Sequence, residues 1–67
     1  MINKRGISIS ERLNKEIEYA ESIDRLELKD ALAVKALGAV DIAVEFGLIT
    51  YKEWERFASR IFSMMQG

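Results

Sequence analysis

The chain has 67 residues, and a Lys and Arg total of 10 against 11 Asp and Glu leaves a net charge of −1. It contains no Cys, His or Pro, which excludes disulfides, standard structural zinc sites, thiol nucleophiles and imidazole bases. The length allows one domain, and a hydrophobic share of 49% is ordinary for a globular chain. We therefore expect a non-catalytic protein with no cofactor and no metal.

The core of so short a chain is marginal, because about 40% of the surface of the unfolded chain stays exposed after folding. Domains of this size without disulfides or metals rely on tight helix packing or on a partner chain. No charge-free stretch approaches the ~20 residues of a membrane-spanning helix, and the first residues lack the apolar segment of a secretory signal. The composition thus favours a cytoplasmic protein without a membrane partner.

The first helix is predicted to begin at Ser8, after a short basic segment. Residues 1–7 contain Gly6 and no helical pattern, so we expect a flexible arm ahead of a single three-helix domain at 8–67. Ser8 and Glu11 have the spacing of a capping box. The apolar residues that follow lie on one helical face: Ile9, Leu13, Ile17 and Ala20. Two favourable i, i+4 charge pairs are also predicted: Glu11 with Lys15, and Glu21 with Arg25.

The second helix is predicted to run from Arg25 to Phe46, and Gly47 is suited to end it. Asp24 and Glu27 form a second capping-box pattern, which favours a break at 22–24. One long bent helix is the alternative. Around helix 2 the apolar arc exceeds half the circumference, more than the stripe of an ordinary surface helix. Helix 2 is therefore expected to be the long central helix.

The third helix has a capping box at Thr50 and Glu53, with Ile49 and Trp54 at the positions of a hydrophobic staple. Its predicted inner stripe contains Trp54, Phe57, Ala58, Ile61 and Met65, widened by Phe62 and Met64. The connection from helix 2 is short, so the two helices should be neighbours. The predicted fold class is all-α, a small three-helix unit in which helix 2 is flanked by helices 1 and 3.

The apolar excess of helix 2 predicts an interaction surface, because two shorter helices cannot cover all of it. We expect this chain to be a non-catalytic protein–protein interaction or oligomerisation module, such as a regulatory or inhibitory protein of a bacterium or a bacterial mobile element. Its expected partner is itself, as a homodimer or higher oligomer, or another protein. The candidate interface residues are Leu37, Val40, Val44, Tyr51, Phe62 and Met65.

The alternative function is a nucleic-acid-binding transcriptional regulator. Ala43 and Gly47 resemble the Ala-x-x-x-Gly turn of a helix-turn-helix, which would make helix 3 the reading helix. That helix begins with Glu53 and Glu55 near the position of the phosphates, and the chain is net negative. Nucleic-acid binders carry a basic face instead, so nucleic acid is the less favoured partner.

Two further features of helix 2 have two interpretations each. Lys35 falls inside the apolar arc, either as a buried amine or as a side chain whose stem covers apolar surface while the ammonium reaches water. Ala36, Ala39 and Ala43 lie on one side of the helix, where they either allow close helix approach or simply favour helix formation.

Overall fold

A computed structural model describes residues 8–65 of the chain. It contains three helices, α1 (Ile9–Glu21), α2 (Leu26–Glu45) and α3 (Tyr51–Met65). All three pack against one another, and α2 packs most extensively against α3. The predicted all-α, three-helix fold is confirmed. The predicted arm at 1–7 and the end of the chain at 66–67 lie outside the described residues.

The N-terminus of α1 forms the predicted capping box. The Ser8 hydroxyl accepts a hydrogen bond from the Glu11 amide at 3.1 Å, and the Glu11 carboxylate accepts one from the Ser8 amide at 3.3 Å. Leu13, Ile17 and Ala20 are buried along the helix, as their spacing predicts. The sequence therefore defines both the start of α1 and the face that it buries.

The chain breaks between α1 and α2, as predicted, but α2 does not begin as predicted. Its N-cap residue is Arg25, which has an extended backbone and makes no side-chain capping bond. Asp24 thus lies one residue too early to cap the helix, and the second capping box is wrong. The predicted pair of Glu21 with Arg25 is also wrong, because the Glu21 carboxylate binds Arg60 of α3 instead.

Gly47 reverses the chain at the end of α2. Its φ angle is +72°, a left-handed conformation that glycine adopts at little cost. The Leu48 amide donates to the Ala43 carbonyl at 2.8 Å, and the Gly47 amide donates to the Val44 carbonyl at 3.1 Å. This pair of bonds is a Schellman motif, so the predicted end of the helix is confirmed.

The N-terminus of α3 forms the third predicted capping box. The Thr50 hydroxyl accepts from the Glu53 amide at 3.1 Å, and the Glu53 carboxylate accepts from the Thr50 amide at 2.8 Å. Ile49, just before the cap, is 5% exposed, and Trp54 packs against the same core cluster. The short link makes α2 and α3 spatial neighbours.

The core lies where the three helices meet. Ile17, Val40 and Ile61 are its largest fully buried side chains, one from each helix. Phe57 and Ala58 of α3 are also buried, as predicted. The α3 stripe differs from its prediction near its end: Met64 is buried, whereas Met65 is 37% exposed. Consecutive side chains on a helix point about 100° apart, so only one of these two neighbours can face the core.

Helix α2 has 20 residues, against 13 in α1 and 15 in α3, so it is the longest of the three. Its buried residues all lie on one side: Ala33, Ala36, Val40 and Ala43. Three of these four are alanines, which lets α1 and α3 approach the α2 backbone closely on that side. Both neighbours therefore use the same side of α2 and leave the other uncovered.

Candidate interaction surface

Ten large apolar side chains are exposed within the described residues. Seven of them belong to α2, to its cap residue or to the first turn of α3 and the loop before it. The ten residues are Tyr19, Leu26, Leu28, Val34, Ile42, Phe46, Leu48, Tyr51, Phe62 and Met65. Exposed apolar side chains that cluster, unlike scattered ones, mark surfaces that bind another molecule.

The predicted interface residues occupy different environments. Val40 is fully buried, so it is a core residue and is absent from the surface of the folded chain. Leu37 and Val44 are partly buried and pack against the core cluster. Of the others, Tyr51 is 65% exposed and Phe62 is 47% exposed, and Met65 is exposed to a lesser degree.

The structure brings two of these residues, Val44 and Tyr51, to one hollow between α2 and α3. The hollow has a volume of about 350 Å³, and Asp41, Glu45 and Trp54 complete its lining. Trp54 Nε1 donates to Asp41 Oδ1 at 2.6 Å. The Tyr51 and Trp54 rings stack with their centroids 5.4 Å apart. Trp54 thus serves both the core and the link between the two helices.

A second apolar surface lies on the exposed circumference of α2, between the groove to α1 and the exposed acidic residues Asp41 and Glu45. We call it the outer α2 stripe, and it comprises Leu28, Ala31, Gly38, Ile42 and Phe46. All five are exposed, Ile42 to 56% and Phe46 to 75%. The wide apolar arc of α2 is evident in the sequence, but none of the interface residues predicted from the sequence lies on this stripe. The helical spacing of its five residues, with Lys35 among them, is the pattern that indicates the stripe.

Lys35 lies within the outer α2 stripe and is exposed. Its surroundings exclude the interpretation of a buried amine and agree with an ammonium that reaches water. Lys35 also lines a groove between α1 and α2, together with Tyr19 and Leu32. The stripe is therefore apolar with a single cation near its middle.

Polar contacts between helices hold the surfaces in place. Arg60 binds Glu21 and also donates from Nη1 to Asn14 Oδ1, which ties α3 to α1. The hydrogen bond from Arg60 holds the pKa of Glu21 below its ordinary value, against a smaller opposing effect of burial. The pKa of Glu53 is also lowered, chiefly because the Ser10 hydroxyl donates to its carboxylate. These carboxylates are engaged in structural contacts.

Within residues 8–65, no three metal-ligating side chains come together as a metal site would require. No helix in the same range is long and apolar enough to cross a membrane. Comparison with family models, with curated proteins and with solved structures finds no match to this chain. The exposed surface of the three-helix fold is therefore the basis for assigning a function.

Proposed function

We propose that this chain is a small, non-catalytic protein–protein interaction or oligomerisation module that acts in the cytoplasm. The outer α2 stripe is the observation that carries the proposal. A helix that covers one side of a core normally presents polar residues on its other side. On α2 the side away from the core presents Leu28, Ile42 and Phe46, each at least 46% exposed, beside exposed acidic residues.

Burial of this stripe against a second chain would remove apolar surface from water. Each square ångström of apolar surface removed is worth roughly 25 cal/mol. The gain matters more here than in a large protein, because a chain of this size has little core of its own. Association would therefore add stability to the fold as well as create an assembly.

The surface of α3 gives less support to nucleic-acid binding. Lys52 and Arg56 line a shallow hollow on α3 together with Glu53 and Glu55. Mixed charge of this kind lacks the basic excess that phosphate binding requires. DNA binding is therefore the alternative that the experiment below must distinguish from self-association.

The proposal is tested by molar mass from light scattering over a hundredfold range of protein concentration, without and then with nonspecific DNA. We expect a mass above that of the monomer at micromolar concentration, no effect of DNA, and loss of association in Ile42→Asp. Leu26→Asp is the matched control, because Leu26 is 59% exposed and Ile42 56% exposed on the same helix. Leu26 projects from a different side of α2, so this variant should associate normally.

Two results would contradict the proposal. Monomer mass at every concentration would reject self-association. A rise in mass only on addition of DNA would favour the regulator instead. Phe62→Asp serves as a third variant: loss of association there, with Ile42→Asp unaffected, would assign the interface to the residues predicted from the sequence on α3.

A further inference from the structure

We propose that the outer α2 stripe binds the same stripe of a second copy of this chain, with the two α2 helices antiparallel and Lys35 of each opposite Gly38 of the other. This inference rests on the proposed function and names the occupant of the surface and its direction. Three features support it: the spacing of the stripe, the charges along it, and the open space at Gly38.

The spacing of the stripe suits a pair of helices. Along α2 the residues Leu28, Ala31, Lys35, Gly38, Ile42 and Phe46 follow one another at intervals of three, four, three, four and four. From Leu28 to Ile42 the intervals alternate between three and four, as in the seam along which two long helices pack side by side, and Glu45 occupies the position that continues the alternation. The partner that matches such a seam over its whole length is another helix of similar length, and a second α2 meets this requirement.

The charges along the seam oppose a parallel pair. In a parallel pair with the helices in register, each residue faces its own copy, so Lys35 would face Lys35 and Glu45 would face Glu45. Both residues are exposed and free to meet such a partner. Like charges placed directly opposite each other destabilise a helix pair.

The antiparallel pair places the two Glu45 side chains far apart and offsets the two Lys35 side chains by about 4.5 Å along the helices, so neither charge directly faces its own copy. With Lys35 opposite Gly38 of the second copy, Ala31 falls opposite Ile42, and Glu45 falls opposite Leu28 near the N-terminus of the other helix. A helix N-terminus favours a nearby carboxylate. Here the cap residue Arg25 makes no side-chain capping bond, and Glu27 is the acidic residue of the first turn. Glu45 of the second copy would lie close to these amides and to the Arg25 guanidinium.

Gly38 accommodates Lys35 in the same arrangement. Gly38 is exposed, and nothing lies within 4 Å of the position that a Cβ atom would take there. The four-carbon stem of Lys35 can therefore lie across the second helix, while its ammonium reaches water or the neighbouring Asp41 carboxylate. Lysine opposite glycine fits, whereas lysine opposite lysine does not.

Disulfide trapping tests the direction of the pair, since the native chain has no Cys to interfere. Two single variants, Ala31→Cys and Ile42→Cys, are oxidised separately and then as an equal mixture. In the antiparallel pair position 31 meets position 42, whereas two copies of position 31 are roughly 16 Å apart along the helices. Cysteines with Cα atoms more than about 7 Å apart do not form a disulfide without backbone movement.

We expect a cross-linked dimer from the mixture, with the mass of one chain of each variant, and at least tenfold less from either variant alone. Ser59→Cys, exposed on α3, measures cross-linking by random collision. Dimers from each variant alone would show a parallel pair and overturn this inference, while self-association would stand. Collision-level cross-linking throughout would overturn it as well, and the native chain's molar mass then separates the causes: a dimer would place the interface elsewhere, and a monomer would reject self-association.

Discussion

Arg60 and Glu21 form a two-point ion pair between α3 and the C-terminal turn of α1. Arg60 Nη2 lies 2.8 Å from Glu21 Oε1, and Arg60 Nε donates to Glu21 Oε2 at 3.3 Å. The same guanidinium also reaches Asn14, two turns earlier on the same face of α1. This one side chain therefore ties α3 to α1 at two points.

The ion pair predicts a dependence of stability on acid. Because the Arg60 hydrogen bond lowers the pKa of Glu21 from its ordinary value of 4.5, the unfolded chain takes up this proton before the folded chain does. The stabilisation is thus complete at neutral pH and is lost as the pH falls below about 4.5, through the pKa of the folded state.

Glu21→Gln should reduce the free energy of unfolding at pH 7 by up to about 1 kcal/mol, since the pair is partly exposed. The difference between variant and native chain should shrink towards zero at pH 3. Urea titrations at both pH values measure it. A difference that stays constant between pH 7 and pH 3 would show that the charge of Glu21 contributes nothing.

Ser10 forms a second link between α1 and α3, whose contribution to stability can be measured. Its hydroxyl donates to Glu53 Oε2, while Glu53 Oε1 caps α3 through the Thr50 amide. Ser10→Ala should cost about 0.5–1.5 kcal/mol, the usual net contribution of an intramolecular hydrogen bond, because the Glu53 carboxylate keeps its bond to the Thr50 amide. Ser59→Ala, at an exposed position of α3, is the control and should change stability by less than about 0.5 kcal/mol.

The contribution of the α3 N-cap to stability can be measured by substitution of Thr50. Thr50→Ala removes the acceptor of the Glu53 amide and should cost about 1 kcal/mol, with no change in oligomeric state. Thermal unfolding at several protein concentrations separates the two effects. A loss of only a few tenths would mean that Glu53 alone holds the start of α3.

The two described glycines predict opposite effects of the same substitution. Gly47→Ala should destabilise the chain by about 1 kcal/mol, because alanine is strained at a φ of +72°. In the monomeric chain, Gly38→Ala should stabilise it by about 0.5–1 kcal/mol, because that glycine lies inside α2 with open space around it. Chemical denaturation measures both, and a Gly47→Ala variant as stable as the native chain would contradict the assignment of Gly47 as the helix-ending residue.

Local patterns predicted the helices well because their causes are local. A capping box needs only residues three apart, and both Ser8 with Glu11 and Thr50 with Glu53 form theirs. The same pattern failed at Asp24, because Arg25 adopts the extended backbone of the cap and α2 starts one residue later. Such a shift depends on how the chain crosses from α1 to α2, which no short pattern encodes.

Contacts between helices could not be read in the same way. Nothing in the neighbourhood of Arg60 along the chain indicates a partner 39 residues away. Val40 is among the interface residues predicted from the sequence, yet α1 and α3 close over it. The choice between core and surface depends on helix positions, which distant contacts determine.

The sequence by itself determined three helices, most of their ends, and an α2 whose apolar residues surround most of its circumference. Only the tertiary structure decided which part of that circumference is covered. The covered side contains the small residues Ala33, Ala36 and Ala43, which allow both neighbours to approach closely. The part with Ile42 and Phe46 stays exposed because α1 and α3 occupy the same side of α2 and the described chain has no fourth helix to cover the rest.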